Sequence, residues 1–442
     1  MDQYLSHITT SLSAHREIKY TVSEKRWQTD FLRFYQSQTN YNISKEAISL
    51  DMTIYKGKKS YSFSIDDPDL TKIDAALFDA LGIIDKLPED PDFVDIEDDL
   101  TESPYRKKPN NIELIPLEKK TALLEEIAQA VEPHNFQIYG TFICNREEYR
   151  LINSNGLSKH WEQSPIYLEV KAVHNDSQIT VLETFGGENF DRLDKDVFLS
   201  RLLSKIGYAS NPVVDVEPGK YDVVLAPRCI AEFIHYLGYG MSAQSLDQKS
   251  SYFEGRLNEQ IFPEQITITD DPSDNDLITS DYNGDGHVYT PLTLIEKGVF
   301  KAFTCSNYFH HKTGLPKNGN TGSCLKLAPG DKILGELLGQ MQNGLYISSL
   351  HYMNFINAKE TSLTGLTRDG TFLVENGKIT KVVNNLRFTE KIDRILKNIV
   401  ALENRCDTIP FSDNYGMFSV EASKAPHVLV KDFNITSSTR TI

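Results

Sequence analysis

From residue 264 onward, apolar residues recur in short segments of strand period, each closed by a Gly, Asn or Asp turn. No other feature narrows the fold as much. Segments at 264–269, 289–295, 299–305, 344–350, 370–375 and 427–433 are read as strands, with one late helix expected over 389–402. They predict an antiparallel sheet or a barrel-like body with few helices. The first half is mixed. A helix is expected over the first 30 residues. Alternation at Ile48, Leu50, Met52 and Ile54, a turn at Gly57, then Tyr61 and Phe63 predict a hairpin. Helical spacing marks 69–84, 117–131 and about 194–206, with strands at 136–144, 147–153, 165–173 and near 179–183. Residues 88–111 are acidic and proline-rich and predict an irregular connection. The fold class is therefore α+β: an N-terminal α/β domain over 1–214 and a β-rich C-terminal domain over 215–442, with Pro218-Gly219 as the turn between them.

Composition bounds the function. A chain of 442 residues exceeds one small core, so two domains are expected. Its net charge of −16 argues against direct nucleic-acid binding, which needs a basic stripe. Lys107-Lys108 and Lys119-Lys120 are short pairs in acidic surroundings and predict solvated surface lysines. No apolar run of spanning length is present, so no membrane segment is expected. Met1 to His7 shows no basic and apolar leader pattern. Five cysteines, at 144, 229, 305, 324 and 406, are widely spaced with no CxxC pair, which suits free thiols in a reducing cytoplasm.

The C-terminal half opens on the segment 230–241. Ile230, Phe233, Ile234, Leu237 and Met241 form an apolar helix face, and Glu232, His235, Tyr236 and Tyr239 form the opposite one. The pattern is that of a zinc helix without its ligands: zinc needs N, S or O ligands plus a base, and one histidine with two tyrosines does not supply them.

Several segments in one order resemble the TldD/TldE (PmbA) peptidase family: the stretch 31–42, Asn153-Ser-Asn-Gly, Gly219-Lys-Tyr-Asp leading into this helix, and Lys249-Ser-Ser-Tyr-Phe. Asp270-Asp271-Pro, Gly298-Val-Phe, Thr313-Gly-Leu-Pro through Gly322, Gly344-Leu-Tyr and Glu375-Asn-Gly-Lys continue the series. The resemblance implies HExxxH on the helix of a TldD-type subunit, with a late cysteine completing the zinc site. Aligned on the common glycine, Ile234 stands at the first histidine, His235 at the glutamate and Tyr239 at the second histidine. The late cysteine falls near Ser412, and Cys406 is the nearest thiol. The resemblance therefore implies a TldE-type subunit with no metal of its own. It would pair in the cytoplasm with a TldD-like zinc subunit and handle peptides or unfolded segments, with His235, Tyr236, Asn318 and Asn320 as cavity or substrate contacts. A homodimeric peptide-binding protein is the alternative. A stand-alone hydrolase using His235, Cys229 and nearby carboxylates is a third. The family's older label, modulator of DNA gyrase, conflicts with the acidic charge if taken to mean DNA contact.

Three further signals have plain readings. Asp281-Tyr-Asn-Gly-Asp-Gly resembles half an EF-hand loop, but Leu292 stands where the glutamate belongs, so a tight turn is expected. His310-His311 on a strand would point to opposite faces. The glycines at 314, 319 and 322 lack the lysine and helix of a phosphate loop.

Overall fold

The structure, a computed structural model, describes residues 3–104, 115–412 and 418–438. Lys107 and Lys108 lie outside them. The opening helix is shorter than expected: α1 spans Gln3–Ser13, and β1 already begins at Ile18 and runs to Tyr35. Leu5, Ile8 and Leu12 keep helical spacing, whereas Ile18, Tyr20 and Val22 fall on one side of a strand. The hairpin forms as expected from β2 (Gln38–Lys56) and β3 (Lys59–Asp66). Next come α2 (Leu70–Ile84), whose first turn is capped by the Asp69 carboxylate at 2.8 Å from Lys72 N, and α3 (Leu117–Val131).

With β4 (Phe136–Asn153), β5 (Ser158–Gln163), β6 (Ile166–His174) and β7 (Thr180–Gly187), these strands form an antiparallel sheet of order β3-β2-β1-β4-β6-β7, with β5 beside β4. Its strands are long enough to carry two cores. At the Val22 end, α1 and α2 cover Ile54, Met52 and Ile152. At the Phe34 end, α3 and α4 (Lys195–Ala209) cover Phe136, Phe142 and Leu168. Lys120 corrects the expectation of solvated lysines. It is 1% exposed, with Nζ 3.4 Å from Asp30 Oδ2 and over the Phe142 ring.

The chain then continues through β8 (Val213–Val214), β9 (Gly219–Leu225), α5 (Pro227–Gly240), α6 (Ala243–Asp247), β10 (Ile268–Asp270), β11 (Leu292–Glu296) and β12 (Val299–Phe300). After α7 (Asn307–Thr313), β13 (Leu325–Leu327) and α8 (Leu334–Gly339) come β14 (Asn343–Asn357), β15 (Ser362–Glu375), β16 (Lys378–Val383) and β17 (Leu386–Lys391). The last elements are α9 (Ile392–Lys397), β18 (Ile399–Leu402), β19 (Asp407–Ser412), β20 (Val420–Ala425) and β21 (Val428–Ser438). Strands β14-β9-β21-β17-β15 pair in that order, and β15 pairs again with β14, closing a five-stranded barrel. A six-stranded sheet of order β12-β11-β10-β13-β20-β19 lies beside it.

The late helix expected over 389–402 is two strands with one short helix between them. Ile392, Ile395 and Leu396 support α9 alone, while Leu386, Phe388 and Glu390 alternate and β18 pairs with β21. Gly298 turns β11 into β12 at φ +80°, where a Cβ would lie 2.0 Å from Phe262 O, so only glycine fits. Val224, Tyr346, Phe372 and Leu429 of the barrel share a core with α3, α4 and the first sheet. No helix among the described residues is long and apolar enough to cross a membrane.

Candidate functional site

Helix α5 springs directly from β9. Pro227 occupies its first turn, where a missing N–H costs nothing, and Ala226 offers no side-chain cap. One side packs on β14 and the other on β13, β19 and β20, so the helix is held between the barrel and the six-stranded sheet. Cys229, Ile230, Phe233, Ile234 and Leu237 are buried in this sandwich. What stays open is a stripe of Arg228, Glu232, His235, Tyr236 and Tyr239, positions three to four residues apart on one face.

The stripe is aromatic and internally bonded. Tyr239 OH lies 3.3 Å from His235 Nε2, and the two ring centres are 5.3 Å apart. Phe411 of β19 lies 6.1 Å from the His235 ring, and the Arg228 guanidinium sits over Phe411. Tyr236 OH donates to Met353 O, and its ring meets Phe355 at 5.1 Å. Arg228 Nη1 donates to Pro410 O at 3.4 Å, and its Nε lies 3.7 Å from Glu232 Oε1.

Burial pushes the Glu232 carboxyl up to about 7, with Arg228 opposing, and its side chain is only 17% exposed. A carboxyl that holds its proton to higher pH when folded stabilises the fold fully below about 4.5 and loses that contribution as pH rises through about 7. Glu232→Gln is therefore expected to flatten the decline in stability between these limits. At pH 8 the variant should be the more stable by about 2 kcal/mol, read from urea midpoints across pH. Parallel stability curves for the two proteins would refute it.

The remaining sequence candidates fall in two places. Ile234, 1% exposed, faces the core. Ser412 follows Phe411 on β19 and pairs with Val420; it is Phe411, the neighbouring residue, whose ring meets His235. Asn318 and Asn320 brace a loop. Asn318 accepts from Cys305 N at 3.1 Å and donates to Phe303 O, and Asn320 donates to Asp270 and Thr290 O. Cys229 lies on the buried face of α5, donates to Ile347 O, and has a thiol pushed well up by burial, so it does not share the stripe with His235. Burial also pushes Cys406 up to about 11, and its Sγ donates to Leu327 O. His310 and His311 lie on helix α7, not on a strand, and His310 Nδ1 is 2.6 Å from Leu315 O. The turn at 281–286 is closed by Asn283 Oδ1, which accepts from Asp285 N and His287 N.

Two clusters go beyond the sequence candidates. Tyr167 OH donates to Glu169 Oε2 at 2.6 Å, and both lie near Arg228. Tyr346 OH lies 3.1 Å from His427 Nε2, and His427 Nδ1 lies 2.6 Å from Glu403 Oε2, a buried chain across three segments. The only available signal was the position of His427 at the head of an apolar strand run.

Residues 218–437 match the PmbA/TldA metallopeptidase C-terminal domain, and residues 110–204 match the central domain of the same family. The chain belongs to the PmbA/TldD family. A metalloprotease of Methanothermobacter thermautotrophicus is 25% identical over 64% of this chain and 65% of its own length, just under two thirds. A zinc metalloprotease TldD homolog of Saccharolobus solfataricus is 24% identical over 79% of this chain and 80% of its own. The crystal structure of TldE from Thermococcus kodakarensis superposes with a TM-score of 0.86 at 18% identity, covering 98% of this chain and 100% of that one, and it shares the α+β fold.

Membership of the PmbA/TldD family raises the question of zinc, and the donor set on α5 does not fit it. Ile234 offers only carbon and faces the core, His235 is engaged by Tyr239, and Ser412 offers a hydroxyl where a thiolate is wanted. The Cys406 thiol is held protonated, and a thiol must ionise to bind zinc.

Proposed function

We propose that this chain is the non-catalytic, TldE-type subunit of a cytoplasmic TldD/TldE-type metalloprotease complex acting on peptides and unfolded segments. The observation that carries this reading is the chemistry of the α5 stripe. In the register that the resemblance gives, the positions for zinc ligands and base are occupied here by Ile234, His235, Tyr239 and Ser412. Zinc and the water-activating base would come from a TldD-like partner. A second feature supports peptide handling. Among the described residues, 38–47 of β2 have strand pairing with β1 alone, because β3 begins its pairing at Ser49 and Asp67 N already donates to Ile48 O. A bare strand edge captures extended peptides through the main chain, largely regardless of sequence.

Metal analysis and peptidase assays on the purified chain, alone and with a zinc-bearing TldD-type chain, test the reading. The expected result is no stoichiometric zinc and no hydrolysis alone, with hydrolysis once the partner is added. Stoichiometric zinc together with hydrolysis by the lone chain would sink it. Self-association with peptide binding and no response to the partner would favour the homodimeric binding protein instead.

A further inference from the structure

Residues 89–102 carry eight carboxylates in 14 positions and no basic residue. From Val94 to Ser103 the chain forms neither helix nor strand, and among the described residues none of its main-chain groups bonds to another main-chain group. Its amides turn to its own carboxylates: Asp98 N and Asp99 N donate to Glu97 Oε1 at 3.1 and 3.0 Å, and Thr101 N donates to Asp99 Oδ1 at 2.9 Å. Its carbonyls are taken by side chains from elsewhere in the fold. Asn153 at the end of β4 donates to Glu97 O at 2.7 Å, and Asn155 in the following turn donates to Ile96 O at 3.2 Å. Lys159 of β5 donates to Thr101 O at 2.6 Å, and Asn307 of α7 donates to Asp95 O at 3.2 Å.

The segment therefore lies in a groove with two walls, the β4–β5 turn of the first sheet and the loops around α7. The charge of the groove matches its occupant. Lys317 Nζ lies 3.0 and 2.8 Å from the two carboxylate oxygens of Glu97, and His287 Nδ1 lies 3.0 Å from Asp99 Oδ2. Tyr282 OH accepts from Ser103 N and donates to Glu102 Oε2, each at 3.0 Å. Asp285 lies close enough to Glu97 to oppose it, and Lys317 and His287 offset that charge as well. Asn153 and Lys159 are 6% and 3% exposed, so a carbonyl in each place satisfies donors that burial would otherwise leave unpaired.

We propose that this groove binds acidic, extended peptide segments, and that residues 93–103 fill it as an internal ligand which an external segment can displace. Attachment through side chains alone permits the exchange, because the segment can leave without unzipping a strand ladder. Of its apolar side chains only Ile96 is buried, and Asp95, Asp98, Leu100, Thr101 and Glu102 are exposed on its outer side. Donors to main-chain carbonyls hold a peptide of any sequence, and Lys317 and His287 add a preference for carboxylates two positions apart. The groove goes beyond the subunit reading, since this chain builds it alone and binding there needs neither zinc nor a partner.

A synthetic peptide with the sequence of residues 93–103 is the probe, titrated calorimetrically into the full chain carrying Glu97→Gln and Asp99→Asn. These changes loosen the internal segment and leave the groove walls intact. Saturable one-to-one binding is expected, at least about tenfold tighter than to the unaltered chain, whose own segment competes at an effective concentration on the order of millimolar. A peptide with the same two substitutions should bind at least about tenfold more weakly than the acidic one. No saturable binding, or equal binding of the two peptides, overturns the proposal. Amide exchange in the unaltered chain gives a second reading that requires no variant. The amides of Asp98, Asp99 and Thr101 should exchange by local opening, at least about tenfold faster than those of β4, and faster still in about 1 M salt. Exchange of these amides only together with β4 would mark the segment as a fixed part of the fold and overturn the proposal as well. Both readings are taken without metal or a second chain, so they fail independently of the subunit role.

Discussion

Asp270→Asn is expected to lower the stability of the chain by about 3 kcal/mol or more and to loosen the loop 314–324. Asp270 is 0% exposed and its two oxygens are surrounded by donors. Oδ1 accepts from Tyr289 OH at 2.6 Å and Cys324 N at 3.0 Å, and Oδ2 accepts from Gly322 N at 2.9 Å and Asn320 Nδ2 at 3.2 Å. Burial raises the pKa of this carboxyl and the four donors oppose it. An asparagine of the same shape must turn an NH₂ toward one pair of donors, leaving buried groups unsatisfied. Urea unfolding at constant m-value measures the loss, and amide exchange at Gly322 and Cys324 locates it. A shift below about 1 kcal/mol would show that the loop is held by other contacts.

Phe233→Ala is expected to cost about 3–5 kcal/mol, the range for emptying a buried aromatic site. Phe233 is 0% exposed and packs edge-on to Phe388 at 5.8 Å and to Phe433 at 6.4 Å, pinning α5 to two barrel strands. Under the subunit role proposed above, the variant should also lose the ability to support a TldD-type partner below its melting temperature, because the Arg228–Tyr239 stripe rides on the same helix. Thermal unfolding and reconstituted peptidase activity read the two effects. Full stability, or an unfolded protein that still supports the partner, would contradict the placement of the helix.

Periodicity made much of the fold legible. The hairpin β2–β3, helices α2 and α3, and the strand-rich second half all follow from spacing in single segments. Where one residue set served two periods, the expectation failed. Ile392, Ile395 and Ile399 suit a helix, yet Ile399 belongs to β18 because β21 supplies its partner. Strand β1 was hidden by polar side chains on both faces, which a long strand tolerates where it crosses between two cores. The α5 stripe was visible because its members lie within a dozen residues. Phe411 beside His235, and Glu403 and Tyr346 around His427, were not, because no local pattern encodes contacts across such sequence distances. The motifs at Asp270 and at 313–322 resemble the family separately, and the structure gives the reason they occur together: one carboxylate ties them.

The closed barrel imposes an order on synthesis. Strand β21 lies between β9 and β17, so β9 gains its second neighbour only when a segment about 200 residues later leaves the ribosome. At typical translation rates that interval is on the order of 10–40 seconds. Until the barrel closes, one edge of β9 stays open and α5 lacks its contacts with β19 and β20 in the nascent chain. The protein should therefore depend on chaperones during translation more than its finished, edge-free barrel suggests, and slowing the ribosome between codons 225 and 428 should lower its soluble yield.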